Sequence, residues 1–184
     1  LVAANGTEQF ICLDAGTIYA GLQKAISNKA VIATDANTAQ QQLIKAYFIS
    51  HGHLDHLSGL VLNAPNDIAK PLYALPSVID VFKNNYFTWK SWANFASEGE
   101  APILKKYTYQ PLTIQKEISI PNTNLYVTPF SLSHVNPYES TAFLVRNGDD
   151  YMLYLGDTGA DLVEKSNQLE ILWNHVAPLI TKGQ

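Results

Sequence analysis

The reading turns on one stretch: Ala46-Tyr-Phe-Ile-Ser50, followed by His51-Gly-His53-Leu-Asp55-His56-Leu-Ser-Gly59. The first part is a short apolar run, the pattern of a buried strand. The second packs three imidazoles and a carboxylate into residues 51–56, and the whole chain holds only five histidines. A strand fixes the backbone and a loop leaving its end lets side chains converge, which is the arrangement a metal-dependent hydrolase needs. His51 and His53 are two residues apart, so in extended backbone they point to one side and can chelate one ion. Asp55 and His56 come after the chain begins to turn, and they point elsewhere. A single ion does not accommodate all four groups from so short a stretch. Two neighbouring ions do, with His51 and His53 on the first and Asp55 and His56 on the second. Paired cations about 3.5–4 Å apart are a recurrent device for hydrolysing phosphoesters and amides. The competing reading is a polar surface loop that happens to be rich in histidine, and the density of ligands argues against it.

Outward from this stretch the pattern is mixed α/β. Phe10 to Leu13 reads as a strand, Asp14-Ala-Gly-Thr17 as a turn, and Ile18 to Ser27 has helical spacing. Ala36 to Lys45, rich in Ala and Gln, predicts a second helix. Pro71 to Leu75 is a short strand, and Pro76 to Asn85 a helix with proline in its first turn. Tyr86 to Phe95 is dense in aromatic residues and fits a core-facing amphipathic helix or a lid whose rings stack on a base. Ile103 to Tyr109 and Asn124 to Phe130 are strand-like. Ser140 to Val145 and Tyr151 to Leu155 flank Asn147-Gly148, a hairpin signal. Asp161 to Ile180 predicts a helix capped near Asp161 and interrupted at Pro178.

At 184 residues the chain can bury a core as one domain, residues 1–184, with no repeat and no linker. Apolar content of 47% and charged content of 15% describe a globular chain. The net charge is −4 and Arg146 is the only arginine. Without a basic stripe, a nucleic-acid polymer is not an expected partner. No run of about 20 apolar residues is present, so no membrane span is expected. Cys12 lies in the apolar run Phe10-Ile-Cys-Leu13 and reads as a core thiol.

These residues carry a resemblance. HxHxDH is similar to the signature of the metallo-β-lactamase superfamily. The longer string from His51 to Pro65 resembles one branch of it, the class II cyclic nucleotide phosphodiesterases. Three further stretches resemble that branch: Leu13-Asp-Ala-Gly-Thr17, Ser131-Leu-Ser-His134 with Ser140 to Val145, and Leu155-Gly-Asp157-Thr-Gly-Ala-Asp161. The resemblance implies an αββα metallo-β-lactamase-like sandwich. It implies two divalent cations, zinc first with manganese or iron as alternatives, and a small cyclic nucleotide as substrate. The expected reaction is attack of a metal-activated hydroxide on a 3′,5′-cyclic phosphodiester to give a 5′-nucleotide.

It also assigns residues. His134, which alone would read as structural, becomes the third histidine of the first site. Asp157 becomes a carboxylate bridging both cations; the competing role is a helix cap. Asp55 binds metal and orients the nucleophile. Two roles fit Asp14: a carboxylate that fixes the tautomer of a ligand histidine, or a turn former. Ser140 and Thr141 fit pocket-lining and strand roles equally, and His175 reads as a packing residue. The second cation then lacks one ligand, which the family supplies from a histidine far toward its C-terminus. The expectation is therefore a sandwich incomplete at its C-terminal end, prone to associate with itself or with the absent part. The resemblance admits periplasmic, secreted and cytoplasmic versions. Rival functions on this fold are a lactonase, a thioesterase or a tRNA-processing nuclease; a non-catalytic metal-binding fragment is a further alternative.

Overall fold

Two sheets face each other in the computed structural model, which describes residues 1–4 and 6–181. The first half of the chain runs β1 (Val2–Ala3), β2 (Phe10–Leu13), α1 (Ile18–Ser27), α2 (Ala36–Gln42), β3 (Ile44–Phe48), α3 (Leu54–Asn63), β4 (Lys70–Ala74), α4 (Pro76–Val81) and β5 (Tyr107–Pro111). Its strands form one sheet in the order β1-β2-β3-β4-β5. From β2 to β5 the pairing is parallel, and β1 joins antiparallel at the edge. The second half runs β6 (Ile118–Ser119), β7 (Tyr126–Ser133), β8 (Glu139–Asn147), β9 (Asp150–Tyr154), α5 (Asp161–Glu164) and α6 (Gln168–Thr181). Its strands form an antiparallel meander, β6-β7-β8-β9.

The core follows from the patterning. In β3, Ala46, Tyr47 and Phe48 are all fully buried, because a parallel strand between a helical layer and a second sheet has no wet face. Phe48 meets Phe143 of the other sheet edge-on, with ring centroids 5.4 Å apart. Leu22, Ala39, Leu57 and Leu60 bring α1, α2 and α3 into the same core. A smaller cluster forms where Leu172 and Val176 of α6 meet Phe130, Leu132, Ala142 and Leu144 of β7 and β8. The layers are thus helix, sheet, sheet, helix. No helix among the described residues is long and apolar enough to cross a membrane.

Several expectations need correction. The helix expected to reach Lys45 ends at Gln42, and Ile44 and Lys45 belong to β3. Pairing of Ile44 with Phe10 of β2 overrides local helix preference there. The aromatic stretch from Phe87 to Phe95 is not a helix but a series of bends. Its rings act singly: Phe87 is buried against Phe82, Phe95 and Tyr107, whereas Trp89 is 42% exposed and donates its Nε1–H to Pro102 O at 2.9 Å. The helix expected over Asp161 to Ile180 breaks at Lys165, which takes a left-handed φ of 53°, and Pro178 lies inside α6. The break is stabilised by Asp161, whose carboxylate accepts the N–H groups of Leu169 and Glu170 at 3.0 and 2.8 Å. Asp161 does cap a helix, but it caps α6 across the break.

Candidate metal centre

The centre lies at the carboxyl end of β3, the end of a parallel sheet where loops converge. Ile49 and Ser50 leave the strand, His51 and Gly52 form the loop, and His53 takes extended backbone (φ −76°, ψ 146°) as the cap of α3. Asp55 and His56 therefore stand in the first turn of a helix, not on a loop. The signal was present in Leu57, Leu60 and Val61, spaced to bury one helix face. Ser133 ends β7, placing His134 just beyond that strand, and Asp157 follows β9. β7 and β9 flank β8, which brings the two loops to the same rim.

Among the described residues, two groups of three ligand atoms lie within 4.8 Å of one another: His51, His53 and His134 in one, His51, His56 and Asp157 in the other. The rings of His51 and His53 are 4.6 Å apart, His51 and His56 4.3 Å, and His53 and His134 5.1 Å. His51 Nε2 faces His53 Nδ1 at 3.0 Å. Asp157 turns one oxygen each way, Oδ1 lying 3.3 Å from His56 Nε2 and Oδ2 3.7 Å from His134 Nε2. Asp55 falls outside both groups. Its side chain is 77% exposed, with Oδ2 3.6 Å from His56 Nε2. His175 packs on Phe130 in α6, with ring centroids 4.8 Å apart, and takes no part.

The candidate ligands are held from behind. Asp14 Oδ2 lies 2.7 Å from His56 Nδ1 and accepts hydrogen bonds from Ser50 Oγ and Tyr154 Oη at 2.7 Å each. Its Oδ1 accepts the Ser50 N–H at 2.7 Å. A carboxylate on Nδ1 leaves the other nitrogen of His56 pointing into the centre with its lone pair free, which favours the tautomer-fixing role over the turn-forming one. Gly16 allows this approach, since a Cβ there would lie 1.5 Å from Asp55 O. Gly156 precedes Asp157 with φ +61°, and a Cβ there would press on Ser50 at 2.8 Å. Ser140 and Thr141 are both fully buried strand residues, and Thr141 braces the loop by donating its Oγ1–H to Ser50 O at 2.8 Å. Glu164 was not singled out in the sequence. Its carboxylate accepts the N–H groups of Val135 and Asn136 at 3.2 and 2.8 Å and so ties the loop after His134 to α5.

Electrostatics suit a cation. Burial, with His56 and His53 nearby, lowers the His51 pKa to about 4, so its ring is neutral at pH 7. Burial also lowers His56, but its hydrogen bond to Asp14 and the charges of Asp14, Asp157 and Asp55 outweigh that and leave it raised. A bound cation would act against that shift, since it favours the neutral ring. Burial pushes the Cys12 thiol up to about 12, so it offers no thiolate. The donor set is imidazole and carboxylate, which fits zinc and also manganese or iron.

Two facing sheets flanked by helices, with histidines gathered at the strand ends, define the metallo-β-lactamase fold. The fold is close to that of unliganded yeast PDE1 (TM-score 0.75, 20% identity, 95% of this chain and 64% of that one). It also resembles Zn(2+)-bound PqqB from Methylobacterium extorquens (TM-score 0.58, 18% identity, 85% of this chain and 51% of that one). The chain belongs to the cAMP phosphodiesterases class-II family, matched over residues 1–184. A probable 3′,5′-cyclic-nucleotide phosphodiesterase from Yersinia pestis is 35% identical over the whole of this chain and 56% of its own length. The chain spans about half the length of the curated relatives it matches.

Proposed function

We propose that the complete protein hydrolyses 3′,5′-cyclic nucleotides to 5′-nucleotides, using two divalent cations, zinc first, held by this chain. The observation that carries the reading is the convergence of His51, His53, His134, His56 and Asp157 on one rim, in two groups that share His51. His51, His53 and His134 would hold the first cation. His56 and Asp157 would hold the second with Asp55, and Asp157 would reach both. When bound, the cations supply the positive charge that brings the pKa of a water near neutrality and offsets charge on the phosphate in the transition state.

The side chains have separate tasks in this scheme. Asp14 holds His56 in one tautomer and one orientation. Ser50 Oγ, 3.0 Å from His51 Nδ1, does the same for His51. Asp55, exposed at the mouth beside His56, orients the attacking water and sets its line to phosphorus. The small, charged phosphodiester matches the cations, and a net charge of −4 does not favour a polymer backbone. The test is hydrolysis of cyclic AMP and cyclic GMP measured beside a lactone and a thioester, with zinc loaded and then removed by chelator. Cyclic nucleotide turnover that disappears with zinc and returns on its addition is expected. Turnover of the lactone or thioester alone would overturn the reading.

A further inference from the structure

A cavity of about 590 Å³ opens beside His51 and His53, between α4 with the turn after it (Ser77, Val78, Val81, Asn85, Tyr86) and the segment Pro137-Tyr138-Glu139. Its volume is in the range of small-molecule sites. We infer that it is the nucleoside subsite of the centre, with Tyr138 the ring on which the base stacks and Asn85 the amide that reads an adenine edge. This deepens the function proposed above and rests on it.

Charge decides which part of the substrate the cavity takes. Among the described residues that line it, Glu139 is the only carboxylate and none is a lysine or arginine. A phosphate is repelled there and drawn to the cations, so the cavity receives the uncharged portion. Its walls suit a flat ring. Val78 and Val81 are apolar, and Tyr86 is fixed by donating its hydroxyl to Gly52 O at 2.8 Å. Tyr138 is 66% exposed, and its ring stands 6.4 Å from that of His53. An exposed aromatic beside a metal cluster provides a face for stacking. Glu139 is anchored by the Ser77 and Ser131 hydroxyls at 2.8 and 2.7 Å, which keeps this wall in place.

Asn85 supplies discrimination. A side-chain amide offers a donor and an acceptor together, matching N7 and N6–H of adenine, whereas guanine presents two acceptors at N7 and O6. The groove lined by Asp14, Asp55 and His56 fits a base less well, because the tyrosine it offers, Tyr154, is tied by its hydroxyl to Asp14.

The experiment is calorimetric titration of the zinc-loaded protein with AMP, GMP and inorganic phosphate. The parent is expected to prefer AMP to GMP. Tyr138→Ala is expected to weaken AMP about tenfold, the size of a lost base–aromatic stack, with Tyr138→Phe near the parent. Asn85→Ala is expected to erase the preference for AMP. Inorganic phosphate should bind all variants equally, because it meets the cations and not the cavity. AMP binding unchanged in both alanine variants, with the parent binding well, would overturn the subsite and leave the proposed function standing. A zinc-loaded parent that binds phosphate but neither nucleotide would overturn both.

Discussion

Asp157→Ala is expected to empty both cation positions, the largest functional effect of any single substitution in the chain. The reason is geometric. Asp157 directs Oδ1 toward His56 and Oδ2 toward His134, at 3.3 and 3.7 Å from their Nε2 atoms. No other carboxylate among the described residues stands in a ligand group. Without it, two imidazole clusters would have to hold neighbouring positive charges with no anion between them. Partners that only orient ligands are worth about 10–100-fold in metal affinity, and removal of a shared ligand costs more. His56→Ala is the contrast. It should spare the first cation, which would keep His51, His53, His134 and the proposed bridging Asp157, and lose the second. Metal content after dialysis against zinc separates the two. Equal retention of both cations by Asp157→Ala would show that this carboxylate does not bridge.

Asp67→Ala is expected to destabilise the fold by about 3–5 kcal/mol, the cost of leaving a buried charge without its partner. Asp67 and Lys70 are both buried, 4% and 5% exposed, and their side chains are ion-paired. Burial lowers the Lys70 pKa, and the carboxylate works against that. Asp67 Oδ2 also accepts the hydroxyls of Tyr47 and Tyr107 at 2.7 and 3.0 Å. Those tyrosines come from β3 and β5, and Lys70 begins β4, so one carboxylate ties three adjacent strands. Removing it leaves a lysine and two phenols buried together. Denaturant unfolding monitors the change. Replacing both Asp67 and Lys70 with apolar residues of similar size should cost much less. A loss below about 1 kcal/mol for the single substitution would mean that water or another group takes over these partners.

The two predictions concern opposite ends of one sheet, and the sequence revealed those ends unequally. The strand Phe10–Leu13, the helix Ile18–Ser27 and the Asn147-Gly148 hairpin were legible because local pattern and tertiary environment agree there. The run at residues 51–56 stood out as a candidate site because its chemistry is dense. The nearness of His134 and Asp157 was legible only through the family resemblance and not from local pattern, since it follows from β7 and β9 lying on either side of β8. Asp14 illustrates the same limit: it is 42 positions from His56, and only the close packing of the turn at Gly16 against α3 joins them. The break at Lys165 carries no glycine or proline, and it is held by Asp161 acting across it. The Asp67 network was invisible because its members come from three strands and the segment before β4, and each looks ordinary alone.

The most direct measurement is anomalous diffraction at the zinc edge from crystals grown with zinc. Two peaks about 3.5–4 Å apart are expected. The stronger should lie among His51, His53 and His134 and the weaker beside His56, where the set is one ligand short, with Asp157 between them. A single peak remote from these side chains, or none at saturating zinc, would contradict the account.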